Sequence, residues 1–417
     1  MIEQTVSIER MEDAIDIFGS FDENIRIIEQ ELAVRVVSRD DQLKISGEED
    51  EAVDQAAKVI QGLLSLSARG ETIHEQNVRY LIQLVKSGNE DKIQTLAADV
   101  LCVTAKGKPV KAKTVGQKRY VDAILAGQEE DGWICPCTKE EREKYDVWPA
   151  FLICKVLVLY EECAQDGRIE EAVYRALWQL LSHISSHTLF NWAAARWYEC
   201  LIPLWWLYER RPEEWMLDLA VLLEAEGIDY AKLYERFDFE RPKQRRYWTQ
   251  INHVVNTAMA LKSRALMSRM TGEDPDAFAL HMYQTVMKHN SMPTGHFTGD
   301  ECLSGDEPIQ GSECCSVAEA MYSCEVLLAE SGNGFWADLL EKEAFNCLPA
   351  MTTADMWAHQ YVQMTNQISA RKFPEDSVPF NSNSGGANMF GLEPNFGCCT
   401  ANFNQAWPKF ALSAIME

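Results

Sequence analysis

The spacing of apolar side chains changes partway along the chain. In the first hundred residues short alternating runs are interleaved with helical ones. Residues 32–37 (LAVRVV) and 43–45 read as strands around an Asp40-Asp41 turn. Residues 51–66 put Val53, Ala56, Val59, Ile60 and Leu63 on one face of a helix, and residues 78–85 predict a second helix. Residues 106–113 (KGKPVKAK) read as a basic strand or loop. From Trp148 onward the 3.6-residue period dominates. Helices are predicted over residues 150–161, 170–184, 196–208, 216–226 and 317–330, many with wide apolar faces suited to packing on two sides. Short connections make this part a large helical array: a bundle, a solenoid or an α/α barrel. Beyond Pro349 the pattern loosens into loops rich in Gly, Asn and Pro, and no fixed-period repeat emerges.

Tryptophan marks the same change. All 12 lie beyond residue 132, a partition that a single domain rarely makes. The formal net charge of -25 disfavours indiscriminate binding to nucleic acid, since most of the surface repels phosphate. The N-terminus lacks a basic-then-apolar leader, and the most apolar stretch, residues 201–208, is too short to span a bilayer. A soluble, cytoplasmic protein with no membrane partner is expected. Thirteen cysteines, an odd number, argue against a disulfide scaffold. Cys102, Cys154, Cys163, Cys200, Cys324 and Cys347 stand singly in apolar surroundings and are expected to be buried.

Five of the seven remaining cysteines fall in two segments. One is GHFTGDECLSGDEPIQGSECCSVAEAM, with Asp300, Glu301, Glu313, Cys314 and Cys315. The other is PNFGCCTANFNQAWPKF, with vicinal Cys398 and Cys399. Glu313 and Cys315 are two apart, so in an extended or turn backbone they point the same way. With Cys398 and Cys399 they offer one oxygen and three sulfurs, a tetrahedral zinc set. Residue types alone leave open the alternative of buried thiols beside a solvated carboxylate.

Two resemblances sharpen this. The segments FGSFDENIRIIEQEL, VRVVSRDDQLKISGEE and GKPVKAKTVGQKRYVDAI resemble, in order and spacing, the N-terminal region of PhoH-like proteins. There a KH-like α/β module precedes a P-loop ATPase. That resemblance implies nucleic-acid contact through residues 1–119, by the Gly19 turn and a helix start. However, no G-x-x-x-x-G-K-[ST] follows, so ATP hydrolysis is not expected. Lys106, Lys108, Lys111 and Lys113 among many acids read better as a solvated face.

From about Tyr120, DGWICP, YDVWPAFLICKVLVLYEE, WAAARWYECLIPLWWLYER, INHVVNTAMALK, ECCSVAEAMYS, WADLLEKEAFNCLPA, HQYVQMTNQ and NFGCCTANFNQAWPKF resemble the β-L-arabinofuranosidases of glycoside hydrolase family 127. The resemblance implies a mainly α chain: residues 1–119 as the KH-like module, and residues 120–417 as a partial (α/α)6 barrel. The barrel is expected to lack its first helices and the β-sandwich that follows it, which would leave apolar helix faces open. Zn2+ is implied on Glu313, Cys315, Cys398 and Cys399, with Cys398 as nucleophile and a carbohydrate as substrate. Glu301, or Asp300 beside it, is implied as acid/base. His253 matches a sugar-contacting histidine, His359 and Tyr361 match an H-x-Y pattern of the pocket, and His296 lies close in sequence to the same constellation. Trp133, Trp192 and Trp197 either stack on sugar or fill core, and core is the preferred reading.

Overall fold

The computed structural model describes residues 2–8, 15, 17–19, 22–39, 42–68, 73, 75–89, 100–103, 109–111, 115–236, 240–242, 247–391 and 397–414. The chain divides into two compact units. One comprises Met1–Gly127 with Leu159–Asp166, the other Gln128–Val158 with Gly167–Glu417.

In the first unit, strands β1 (Ile2–Ser7), β2 (Val34–Arg39) and β3 (Gln42–Gly47) form an antiparallel sheet in the order β1-β3-β2. Helices α1 (Glu23–Leu32), α2 (Asp50–Ser67) and α3 (Glu75–Lys86) accompany it, and β4 (Val100–Val103) pairs with β5 (Pro109–Lys111). Alternation drives the sheet: Leu43 and Ile45 turn inward onto Val53, Ile60 and Leu63 of α2 and Leu81 of α3 in one core. The strand expected from residue 32 begins at Val34 instead. Leu32 still belongs to α1, whose cap is Ala33 in the left-handed region (φ 54°), donating its N–H to the Glu29 carbonyl. The expected Asp40-Asp41 turn, and Lys106, Lys108 and Lys113, lie outside the described residues. At the suggested nucleic-acid contact Gly19 does take a positive φ of 70°, but Glu23 occupies the first turn of α1, where an anion would meet its charge.

The chain continues through α4 (Val115–Gly127), α5 (Trp148–Ala164), α6 (Ile169–Ile184), α7 (Asn191–Ala195), α8 (Leu201–Arg210), α9 (Glu214–Glu226), α10 (Tyr230–Arg236), α11 (Val254–Ala260), α12 (Ser263–Thr271) and α13 (Pro275–Asn290). Strand β6 (Gly311–Glu313), α14 (Cys314–Ser331), α15 (Gly334–Lys342), β7 (Val362–Met364) and α16 (Gly397–Ser413) complete it. The fold is mostly helical, as the periodicity predicts. The helix expected over residues 196–208 is broken: Arg196 (φ -127°, ψ 26°) ends α7, a 3-10 turn spans Trp197–Cys200, and α8 starts at Leu201. Cys154, Cys200, Cys324 and Cys347 are buried as expected, but Cys163 is exposed, and the surroundings of Cys102 lie outside the described residues. Trp178 and Val221 are exposed large apolar residues on α6 and α9. No helix among the described residues is long and apolar enough to cross a membrane.

The interior of the helical unit holds charge. Glu199, in the 3-10 turn, is fully buried and pairs with Lys155 of α5 and, at 2.5 Å, with the equally buried Lys262 after α11. Lys262 also donates to Ser323 of α14. Burial alone would push the Glu199 carboxyl up, yet the ammonium groups of Lys155 and Lys262 outweigh it and hold it down to about 2. Three separate elements are thereby fastened to one carboxylate.

Candidate active site

Three strand-like segments build the site's floor. Residues 299–302 form bridges on both sides: Gly299 with Ser312 of β6, and Cys302 with His253. Gly299 donates to the Gly311 carbonyl at 2.7 Å and accepts from the Glu313 amide at 2.8 Å. A Cβ on Gly299 would stand 2.2 Å from Val254 Cγ2, so only glycine lets this segment lie so close to α11. The Val254 amide donates to the Glu301 carbonyl at 2.9 Å. Glu301, Glu313 and His253 therefore come from three laterally bonded segments, and one ligand atom from each lies within 4.8 Å of the others.

Glu313 closes β6, which runs antiparallel to β7 with Glu313 opposite Val362. Its own backbone is extended (φ -71°, ψ 136°), and α14 starts on the next residue. Cys315 is thus presented from the first turn of a helix and Glu313 from the strand feeding it. The backbone does not stay extended across the pair, but the two side chains converge. Cys398 and Cys399 come from the first turn of α16. The ligand atoms of Glu313, Cys315, Cys398 and Cys399 all lie within 4.8 Å of one another, with Cys315 and Cys399 sulfurs 3.3 Å apart. Of the Cys314–Cys315 pair, only Cys315 enters this group.

The donor set fits a thiophilic cation. In a tetrahedral zinc site, ligands at about 2.0–2.3 Å from the metal stand roughly 3.3–3.8 Å apart, so a small contraction of the observed cluster suffices. Glu313 is buried, and its Oε2 has no hydrogen-bond partner among the described residues. Burial and the nearby charges of Glu301 and Cys398 push the Glu313 carboxyl well up, and a cation would reverse that. Hydrogen bonds from Cys315 and Cys399 hold the Cys398 thiol down to about 3, against its partial burial. Cys398 is also the exposed member of the set, whereas Cys315 and Cys399 are buried. The accessible sulfur is therefore the one favoured as a thiolate.

Glu301 is half-buried, and its Oε2 accepts from the Tyr361 hydroxyl at 2.7 Å. The Tyr361 carbonyl in turn accepts from the Cys314 amide at 2.8 Å, tying the H-x-Y segment to the start of α14. Asp300 points elsewhere. It is fully buried, and its carboxylate accepts from Ser304, from the Ser382 amide and from the Ser382 hydroxyl. That arrangement makes it a clamp on the loop around residue 382 rather than an acid facing substrate. Asp300→Asn is expected to lower the melting temperature by several degrees, through loss of charge-assisted bonds of about 1.5–3 kcal/mol each, while leaving the pH profile of turnover in place. A shifted profile in a fully folded variant would contradict this assignment.

The histidines divide. His253 caps α11, accepting from the Asn256 amide at 3.4 Å, and its ring meets Trp192 and Trp248 edge-on at 5.5 and 5.6 Å. Burial, then the neighbouring Arg196 charge, hold its imidazole down to about 3, so it stays neutral at physiological pH. His359 donates or accepts at Thr400 Oγ1 (2.7 Å), directly after Cys399, and so anchors α16. His296 turns to other partners. It is fully buried, with its ring nitrogens 2.8 Å from Glu343 Oε1 and 3.0 Å from Ser316 Oγ, which leaves neither free for a sugar.

Trp133 and Trp197 are buried core residues, as preferred, but Trp192 is only partly buried and shares a wall with His253. Arg196 completes that wall: its guanidinium lies 4.4 Å from the Trp192 ring and 4.9 Å from Trp148, and its Nε donates to Asn256 at 2.8 Å. Sequence reasoning missed Arg196 and Trp248. The one available signal was Trp192 four residues before Arg196, the spacing at which helical side chains stack.

Comparison with known proteins supplies what geometry cannot. Residues 97–412 match the family described as "Beta-L-arabinofuranosidase, GH127 catalytic domain". The chain belongs to this GH127 family. A GH127 β-L-arabinofuranosidase from Geobacillus stearothermophilus T6 superposes with a TM-score of 0.50 at 14% identity, covering 94% of this chain and 58% of that one, a likeness of fold. The first part of the chain is similar to PhoH-like proteins. It is 36% identical to one from Mycobacterium bovis over 113 residues, which is 27% of this chain and 31% of that protein. A Bacillus subtilis PhoH-like protein is 29% identical over 113 residues, 27% of this chain and 35% of that protein. The chain thus spans about a third of the PhoH-like relatives and under two thirds of the glycosidase structure.

Proposed function

We propose that this GH127 chain is a zinc-dependent retaining glycosidase acting on terminal β-L-arabinofuranosides, its helices laid out as part of an (α/α)6 barrel. The observation that carries the reading is the convergence of Glu313, Cys315, Cys398 and Cys399, with Glu301 and His253 beside them. Those four residues would hold the metal, and a bound zinc would supply charge that keeps thiols deprotonated at neutral pH.

The chain's own residues then divide the work. The Cys398 sulfur attacks the anomeric carbon, its electron pair forming a C–S bond as the C–O bond to the leaving group breaks. Glu301 gives its proton to the departing oxygen, and Tyr361 orients that carboxyl through the 2.7 Å hydrogen bond. Glu301 next takes a proton from water, which attacks the thioglycoside and releases the sugar with retained configuration. Neutral His253 and the Trp192–Trp248 wall offer one polar contact and an apolar face to a furanose ring.

The test is stereochemical and analytical. The purified chain should contain one zinc and release L-arabinose from an aryl β-L-arabinofuranoside, with the β-anomer appearing first by NMR. A first-formed α-anomer, or stoichiometric zinc with no turnover, would sink the reading. Glu301→Gln is expected to lower kcat by about 10²–10⁴-fold on a poor leaving group and much less on an activated aryl group. Equal losses on both would remove Glu301 from the acid role.

A further inference from the structure

Helices α14 and α16 carry the thiols on their first turns, and a polar seam joins them below. Gln405 Nε2 donates to Glu319 Oε1 at 3.3 Å. Lys409 Nζ sits 3.9 Å from the centre of the Tyr322 ring. Ser413 Oγ donates to Glu325 Oε2 at 2.8 Å. The rungs fall at i, i+3, i+6 on α14 and at i, i+4, i+8 on α16, so each helix offers one face. Because the rungs advance together, the two helices run parallel, and both N-termini end at the cysteine cluster. Their macrodipoles converge there, which favours thiolates.

A close-packed apolar helix pair tolerates small slides, since dispersion is non-directional. Slides matter here, because ligand atoms have to be held to within roughly 0.5 Å of their working geometry. Hydrogen bonds and a cation over a ring face are directional and resist a slide. The seam continues inward: Lys155 and Lys262 also lie over the Tyr322 ring, at 4.7 and 5.2 Å, and both pair with Glu199. A fixed charge cluster thus backs the middle rung.

The geometry points to Glu319–Gln405, Tyr322–Lys409 and Glu325–Ser413 as positioning pairs that set the register of α16 on α14, and thereby the spacing of Cys398 and Cys399 from Glu313 and Cys315. This rests on the metal-thiolate reading above. None of the six residues touches substrate in this assignment; they act through the ligands.

Cobalt(II) tests it, because thiolate-to-cobalt charge-transfer and tetrahedral d–d bands report ligand geometry independently of turnover. The full chain is stripped of metal and titrated with Co2+ as wild type, Lys409→Met, Ser413→Ala, Lys409→Arg and the control Leu223→Ala. Leu223 is a fully buried residue of α9. Lys409→Met and Ser413→Ala, which removes the donor of the third rung, are expected to weaken Co2+ binding roughly 10-fold or more, to shift the d–d bands, and to lower kcat with KM unchanged. Lys409→Arg should restore most of the affinity, and Leu223→Ala should lower thermal stability with Co2+ affinity and spectrum unchanged. Ser413→Ala removes one hydroxyl from a partly exposed position, so it still informs if Lys409→Met does not fold. Seam variants matching wild type in affinity and spectrum would overturn the proposal, as would a control that weakens Co2+ equally. A wild-type chain with no thiolate–cobalt band would instead overturn the metal reading, and the seam's role with it.

Discussion

Cys398→Ser is expected to abolish glycoside cleavage, lowering kcat by at least about 10³-fold while the fold and the other three ligands remain. The magnitude follows from what is lost. Cys398 is the exposed sulfur of the cluster and the one held down as thiolate, with its thiol at about 3. A serine hydroxyl cannot ionise to a useful extent at neutral pH, so the attacking electron pair disappears. Buried Cys399 and Cys315 carry no attacking role in this reading, so their serine variants should act through weakened metal binding alone. Each such variant should purify with less zinc and a lower melting temperature, whereas Cys398→Ser should keep most of its stability. The check is a kcat and zinc assay on the three serine variants side by side. Activity surviving in Cys398→Ser within tenfold of wild type would end the nucleophile assignment.

The largest effect on stability is expected at Glu199. Glu199→Gln leaves two ammonium ions, Lys155 and Lys262, without their counter-charge in the interior. Breaking a buried ion pair from one side costs about 3–5 kcal/mol, a large share of the roughly 5–15 kcal/mol that holds a typical protein folded. A fall in melting temperature of about 10 °C follows for a unit of this size. Replacing all three charges together, as Glu199→Leu with Lys155→Met and Lys262→Met, should recover most of the loss, because no charge is then left buried alone.

The pH dependence carries the same sign. The Glu199 carboxyl is held down to about 2 in the folded chain, below its ordinary value of 4.5. Its ionised form therefore stabilises the fold fully above pH 4.5, and that contribution is lost as pH falls through about 2. Thermal melts from pH 7 down to pH 2 should show this acid limb in wild type and a shallower one in Glu199→Gln. A variant melting within 2 °C of wild type at neutral pH would show that the cluster contributes nothing.

Much of this chain is legible from its residues. Helical periodicity beyond Trp148, the sheet-forming alternation around Leu43 and Ile45, and the break in tryptophan usage all reflect local patterns that a linear chain displays. The ligand residue types did too, because soft-metal chemistry needs thiolates and few places in a protein offer Cys-Cys beside Glu-x-Cys. Tertiary structure decided the rest. Whether residues 84 positions apart meet, as Cys315 and Cys399 do, depends on two parallel helices and the side chains between them. Adjacent Asp300 and Glu301 are chemically alike in the sequence. They part company only because neighbouring residues in a strand-like segment face opposite ways, one toward Ser382 and the other toward Tyr361. His296 and His253 are equally plausible by composition; burial against Glu343 and Ser316 removes the first, and a helix cap beside the thiols keeps the second. Arg196 illustrates the limit from the other side: its break in the helix is paid for by Trp148, Trp192 and Asn256, and Trp148 and Asn256 are distant in sequence. A chain states which chemistries it can offer, whereas direction and distance are properties of packing, and packing exists only once the segments have met.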